Sequence, residues 1–307
     1  MASGLAGLAA ARLAGADRIR SAERWAVPLV SFTPQAVAGA WASTLLLRGK
    51  GSRGTAALAG VALTAAVAPR AIPRRQPPAD GTVLRVLTAN LLVGRAASDA
   101  IVELVARKGA DVLFLQELTE DAVTRLKQAG LTRLLPYEEI EAVPEGPRGS
   151  GIYARYPLRD GLAVPPGSPA GPAALLDVPA GQSVQLVCVH VHAPTPSRAG
   201  YTAARWRAEL EMLPTPGDDP VILAGDFNST LDHAPFRALL RLGYADAARQ
   251  TGNGLIPTWG PKPGGRRALL TIDHVLPDSR CAVQATSVHR LPGSDHRAVY
   301  AEVRLPR

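Results

Sequence analysis

The chain has 307 residues, 47% of them hydrophobic, enough to bury one large core and leave an appendage. A net charge of +8 would suit nucleic acid or an anionic surface, but residues 1–80 hold 10 Lys/Arg against 3 Asp/Glu, and residues 81–307 hold 24 against 23. The basic excess therefore belongs to the N-terminal segment, and two cysteines, Cys188 and Cys281, exclude a disulfide framework or a cysteine-based metal centre.

From Trp25 to Leu47 there are 23 uncharged residues, long enough as a helix to cross a hydrocarbon layer. A second uncharged run, Gly54–Pro69, is 16 residues of mostly Ala, Val, Leu and Gly. Between them Arg48, Lys50 and Arg53 form a compact basic loop of the kind kept on the cytoplasmic side. The pattern predicts a hydrophobic helical membrane segment over residues 1–71, with spans at about 25–47 and 54–70. Everything after it would then lie at the cell membrane on the extracytoplasmic side. Pro28, Pro34 and Gln35 dilute the first run, and a disordered Ala/Gly-rich leader is the other reading. Residues 72–81 have the Pro and charge content of an exposed linker, and a globular domain is expected over 82–307.

Within that domain short apolar strands alternate with helices. Val83–Leu87 reads as a strand running into Asn90. Ser98 offers an N-cap to a helix with Ile101, Val102 and Val105 on one face, stopped by Gly109. Val112–Gln116 is a continuous apolar strand ending at Glu117, and Thr119 caps a helix that buries Ala122, Val123 and Leu126. Later strands are expected at Ile152–Ala154, Ala173–Val178, Val184–Val191, Val221–Ala224, Thr271–Leu276 and Ala298–Val303, with helices near Ala199–Leu213 and Ala234–Leu242. Mixed order, without strict strand–helix alternation, favours an α+β layered sandwich.

Polar residues cluster at the ends of these strands. Asp226 and Asn228 stand two apart in Gly-Asp-Phe-Asn after Val221–Ala224, so both are expected on one face at the mouth of a sheet. Gln116-Glu117, His190-Val191-His192, Asp273-His274 and Gly293-Ser294-Asp295-His296 end other strands in the same way.

Asn90, Glu117, His192, Asp226, Asn228, Asp273, Asp295 and His296 follow the order typical of the endonuclease/exonuclease/phosphatase superfamily, which the chain resembles from about Thr82 to Arg307. Ser150–Pro157 and Arg205 resemble secondary signatures of the same family. The resemblance implies a four-layer α/β/β/α sandwich with two packed mixed sheets and a metal-dependent phosphoesterase. Phosphoester hydrolysis requires neutralising phosphoryl oxygens, activating a water in line and stabilising the leaving oxygen. Glu117, helped by Asn90 and Asp295, is the expected ligand set for Mg2+ or Mn2+, since carboxylate and amide oxygens suit a hard cation. Asp226 would orient or deprotonate the attacking water, and Asn228 would donate to a phosphate oxygen. His296 would meet the phosphate while Asp273 holds its other nitrogen, and His192 would act near the leaving group. His190 should share the face of His192 and buttress it, whereas His274 should point to the opposite face.

Near-neutral charge over 81–307 argues against tight duplex binding, although Arg148, Arg155, Lys262, Arg266 and Arg267 could gather at a cleft. The substrate is left open between nucleic acid and a phospholipid or inositol-phosphate headgroup, with the membrane as partner through the N-terminal segment and no obligate protein partner. A non-catalytic scaffold keeping the fold is the alternative from another class.

Overall fold

The computed structural model describes all residues except 166–167, 180, 198–199, 202 and 263–266. Its strands are β1 (Val83–Asn90), β2 (Val112–Gln116), β3 (Tyr137–Glu141), β4 (Ser150–Ala154), β5 (Leu158–Asp160), β6 (Ala170–Val178) and β7 (Gln182–His190). The two-residue β8 (Pro196–Ser197) and β9 (Gly200–Tyr201) follow, then β10 (Val221–Asp226), β11 (Asp273–Pro277), β12 (Ala282–Arg290) and β13 (Arg297–Arg304). One sheet has the order β12-β13-β1-β2-β4-β3 and the other β11-β10-β7-β6-β5, each antiparallel except for the parallel pairs β1–β2 and β7–β10.

Period-two alternation along the central strands builds the layers. Leu84, Val86 and Phe114 from one sheet meet Leu186, Cys188 and Ile222 from the other in the core between the sheets. The intervening residues Leu87 and Leu113 face outward to Ile101, Leu104 and Leu126. Those belong to helices Ser98–Lys108 and Glu120–Gln128. On the far side Val187, Val189 and Leu223 pack against Trp206, Phe236 and Leu239, from helices Ala203–Glu211 and Ala234–Arg241. The two packed mixed sheets flanked by helices are the expected α+β fold. Thr119 caps its helix as expected, accepting from the Ala122 N–H at 3.2 Å, but Ser98 is already helical and makes no cap bond. Residue 199, where one helix was expected to begin, lies outside the described residues, and that helix starts at Ala203. Cys188 and Cys281 are buried free thiols.

The N-terminal expectation needs correction. Four helices form there: α1 (Ala2–Ala14), α2 (Glu23–Ser31), α3 (Thr33–Leu46) and α4 (Lys50–Val67). The run at 25–47 is divided between α2 and α3, with Pro34 opening α3, and the basic loop instead supplies the first turn of α4. At 1.5 Å per residue α3 is roughly 21 Å long, short of the hydrocarbon thickness of about 30 Å. Among the described residues no helix is long and apolar enough to cross a membrane. Instead α1, α3 and α4 pack on one another through Ala9, Ala40, Ala59 and Leu63.

This bundle is locked to the two-sheet sandwich by a buried polar cluster. Arg12 Nε and Arg70 Nη2 both bind Asp232 Oδ1, at 2.6 and 2.5 Å, and Arg70 Nη1 binds Oδ2 at 2.7 Å. Asp17 Oδ2 accepts from the Ala234 N–H, satisfying the start of helix Ala234–Arg241. His233 Nδ1 accepts from the Thr230 N–H, so Nε2 carries the proton toward the Val27 carbonyl and Ser31 Oγ. Residues 71–81 are strapped down rather than free: Arg74 N–H donates to Gln250 O, and Gln76 Oε1 accepts from Val283 N–H.

Replacing Asp232 by alanine would strand two buried guanidinium groups, and urea titration should show a stability loss of about 3–5 kcal/mol. Burial pushes the Asp232 carboxyl up, but Arg70 and Arg12 outweigh it and hold it below the usual range. Its contribution is therefore complete above the unfolded value of about 3.9 and is lost as pH falls through the lower folded value. Wild type should lose stability below about pH 4 more steeply than Asp232→Ala, and parallel pH profiles would contradict this assignment.

Candidate active site

Strand register sets the site. On one sheet His190 stands opposite Asp226, and Asp226 opposite Asp273, so three polar side chains end three adjacent strands at one level. On the other sheet Asn90 stands opposite Gln116, with Glu117 one residue beyond. Face-to-face packing brings the two groups into contact, and Asn90 Nδ2 donates to Glu117 Oε1 at 3.2 Å and to Asp226 Oδ2 at 3.1 Å. Only glycine fits at Gly225, since a Cβ there would overlap the Val189 carbonyl oxygen of the neighbouring strand.

The backbone around these groups is strained. Glu117 (φ 56°), Asn228 (φ 45°), Leu92 (φ 49°) and Val93 (φ 52°) all lie in the left-handed region, which costs non-glycine residues roughly 1–3 kcal/mol each. The return is visible at Val93, whose N–H donates to Glu117 Oε2 at 2.7 Å. At Asn228 the same twist lets its N–H donate to Asp226 Oδ1 at 2.8 Å.

Burial pushes the Asp226 carboxyl up to about 7 against the pull of His296, and Asp273 adds to the push. Burial alone would lower His296, but the Asp273 and Asp226 carboxylates outweigh it and raise the imidazole to about 10. Its Nδ1 lies 3.0 Å from both oxygens of Asp273, and its Nε2 is 3.7 Å from Asp226 Oδ2. Burial, reinforced by His296, holds His190 down at about 4, so this ring is neutral at pH 7. The site thus contains a carboxyl poised near neutrality, a fixed imidazolium and a neutral imidazole.

Asp226, Asp273 and His296 bring ligand-type atoms within 4.8 Å of one another. The bonds of His296 to Asp273 mark that trio as a charge pair with a neighbour rather than a cation cage. Carboxylate oxygens at the open side fit a hard cation better. Asp295 Oδ2 accepts from Trp259 Nε1 at 3.1 Å, while its Oδ1 is buried without a hydrogen-bond partner. An orphaned anionic oxygen on the cleft wall, together with Glu117, is the donor chemistry that Mg2+ or Mn2+ takes.

Of the expected residues, Glu117, Asp226, Asn228, Asp295 and His296 line one cleft of about 780 Å3, with Asp273 behind His296. Asn90 joins the group but presents its amide nitrogen to the carboxylates, and its oxygen accepts from the Leu92 N–H at 3.0 Å. Its amide nitrogen thereby orients Glu117 and Asp226. Asn228 Nδ2 donates to the Val191 carbonyl at 2.9 Å. Two histidines, His190 and His192, line the cleft from β7 and its end. β7 ends at His190, whose Nε2 lies 3.9 Å from Glu117 Oε1, whereas His192 is an exposed wall residue beyond the strand. Two residues share a face only while the strand continues, and it stops between them.

Of the cationic residues, Arg148 and Arg205 line the cleft, Arg205 being held by Glu209 at 2.7 Å. Arg155 pairs instead with Asp111; Lys262 and Arg267 are exposed, and Arg266 lies outside the described residues. His274 faces away, bound to Asp246 at 2.6 Å, as expected. Sequence reasoning missed Trp259, for which an isolated aromatic in a Pro/Gly loop was the available signal. It also missed that Val27, Pro28 and Phe32 of the N-terminal bundle form part of the cleft wall.

The sequence profile of the Endonuclease/Exonuclease/phosphatase family matches residues 87–296. Comparison with curated proteins gives no match. Among solved structures, a humanized D. rerio TDP2 carrying 14 mutations is 19% identical, with a TM-score of 0.58 over 72% of this chain and 98% of that one. An endonuclease/exonuclease/phosphatase from Beutenbergia cavernae is 19% identical, with a TM-score of 0.53 over 73% of this chain and 72% of that one. A family protein from Bacteroides thetaiotaomicron is 17% identical, with a TM-score of 0.53 over 74% of this chain and 100% of that one. At these identities the structures speak for the fold alone, while the profile spans the strand ends that build the cleft: the chain belongs to the endonuclease/exonuclease/phosphatase family and is a phosphoester hydrolase.

Proposed function

We propose that the protein is a phosphodiesterase that works with a divalent cation, Mg2+ or Mn2+, on a substrate reached at a membrane surface. The observation that carries this reading is the meeting of Glu117, His190, Asp226 and His296 from two different sheets in one cleft. A module kept only as a scaffold has no need to bury an imidazolium between Asp273 and an Asp226 carboxyl poised near 7.

Asp226 is placed to take the proton of an attacking water, with Asn90 and the Asn228 N–H fixing its orientation. His296, held by Asp273, offers a positive N–H to a non-bridging phosphoryl oxygen. His190, kept neutral by burial, is a second N–H donor on the same side. Glu117 and Asp295 would hold the cation. When bound, it supplies charge neutralisation at the phosphoryl group and leaving oxygen.

For substrate, the near balance of 24 Lys/Arg against 23 Asp/Glu over residues 81–307 disfavours an extended nucleic-acid duplex. The apolar wall from Val27, Pro28 and Phe32 favours a headgroup whose ester continues into an apolar tail.

Hydrolysis of bis(p-nitrophenyl) phosphate should require Mg2+ or Mn2+ and stop with chelator. Glu117→Gln and His296→Ala should each lower kcat by about 100-fold or more in protein that circular dichroism shows to be folded. A wild type no more active than these variants would leave the scaffold reading standing. His190→Ala should cost about 100-fold in kcat/KM and His192→Ala less than about tenfold. The reverse order would return the catalytic role to His192.

A further inference from the structure

Exposed apolar side chains are unevenly distributed. Of the 18 large hydrophobic residues exposed among the described residues, 12 lie in the first 72 positions. Three of them stand on α2 and its end: Trp25 (67% exposed), Leu29 (54%) and Phe32 (41%). Their spacing of four and three residues puts them on one face of the helix.

That face is continuous with the catalytic cleft. Phe32 and Pro28 line it together with Glu117 and His296. Leu269, also exposed, has its backbone carbonyl bound by Gln35 Nε2 of α3 at 2.7 Å, so it is held beside the bundle. The buried side of the same helix is already used: Val27 packs in the core with Trp206 and Phe236, and Glu23 pairs with Arg207 at 2.8 Å. The apolar stripe therefore remains outward on a helix whose orientation is fixed.

Charge selects the partner. Residues 1–71 contain eight Lys/Arg and two Asp/Glu. Asp17 and Glu23 are both occupied, Asp17 with the Ala234 N–H and Glu23 with Arg207. Arg18, Arg20 and Arg24 are exposed, and the Arg24 guanidinium lies beside the stripe, 5.4 Å from the Trp25 ring centroid. Arg48, Lys50 and Arg53 form a second exposed cationic group at the start of α4. A short helix with Trp, Leu and Phe on one face and arginines beside them has the composition that settles into a lipid interface, with each cation attracted to anionic headgroups.

We infer that the Trp25–Leu29–Phe32 face of α2 docks on an anionic lipid surface and turns the mouth of the catalytic cleft toward it. Rather than spanning the bilayer, the N-terminal bundle seats the enzyme on it, with Phe32 at the junction between bilayer and site. This rests on the phosphodiesterase reading only for its purpose, since docking itself is measured without turnover.

The test sediments the full chain with vesicles of phosphatidylcholine alone and of phosphatidylcholine mixed with phosphatidylglycerol, beside hydrolysis of soluble bis(p-nitrophenyl) phosphate. Binding should favour the anionic vesicles by about tenfold or more, weaken with added salt, and be released by alkaline carbonate. The double variant Trp25→Asp/Leu29→Asp, altered only at exposed positions, should bind about 100-fold more weakly. It should keep wild-type thermal unfolding and soluble-substrate activity. Leu242→Asp, at an exposed apolar residue outside the cleft wall, should bind as wild type does. Equal binding by wild type and double variant, equal binding to neutral and anionic vesicles, or retention after carbonate would each overturn the proposal. Loss of soluble-substrate hydrolysis by the wild type would instead count against the phosphodiesterase reading.

Discussion

One amide joins the halves of this molecule at the place where chemistry happens. Asn90 ends a strand of the first sheet, and its Nδ2 reaches both Glu117 on its own sheet and Asp226 on the other, at 3.2 and 3.1 Å. Two carboxylates facing each other across a sheet interface repel, and burying them without a shared donor would cost several kcal/mol. The bridge is in turn fixed from behind: Ser294 Oγ donates to the Asn90 carbonyl at 2.8 Å and accepts from the His296 N–H at 3.0 Å. The loop that delivers Asp295 and His296 is thus registered against the strand that delivers Asn90. The core between the sheets sets the distance, and these hydrogen bonds set the orientation.

The same economy governs the attachment of the N-terminal bundle. Asp232 and His233 follow Asn228 by a few residues, and both are satisfied by N-terminal groups: Arg12 and Arg70 for the carboxylate, the Val27 carbonyl and Ser31 for the imidazole. A buried carboxylate with two guanidinium partners is a weak source of net stability but a strong specifier of arrangement, because any other docking leaves charges unpaired. The bundle is therefore not an interchangeable anchor. It braces the loop carrying Asn228 and contributes Pro28 and Phe32 to the cleft.

Most of the sheet architecture was legible because central strands bury both faces and read as apolar runs: Val112–Gln116, Val221–Ala224 and Val184–Cys188 leave little alternative. The strands that escaped notice are edge or short ones. Tyr137–Glu141 alternates exposed and half-buried residues and carries three glutamates, which suits an edge protected from further pairing but gives no apolar run to read. The acidic and histidine residues at strand ends were also legible, because their order along the chain is distinctive. What sequence could not supply was where each strand stops. That His190 stands beside Asp226 at the strand end depends on a pairing between residues 36 positions apart. The N-terminal runs misled for a related reason: their uncharged length suggests a span, but alanine and glycine contribute little transfer energy per residue, and a turn at Phe32 divides the longer run.

Backbone strain gathers at the cleft. The left-handed residues Glu117 and Asn228 border the cleft, as does Asp295 Oδ1, which accepts no hydrogen bond and lies 3.9 Å from His296 Nε2. Buried Asp246 and Asp278 are paired, with His274 and Arg280. A fold able to satisfy those groups could have satisfied Asp295 with one more donor. A carboxylate left short of hydrogen bonds keeps its charge available to a ligand, and strain at Glu117 and Asn228 holds side chains in orientations that a relaxed backbone would abandon. Net charge has a parallel logic: the catalytic half is nearly neutral, so its local field comes from His296 and the surrounding carboxylates, while the basic excess lies on the N-terminal segment, whose α2 contributes to the cleft wall. There it can attract an anionic surface without competing with the site for the phosphoryl group.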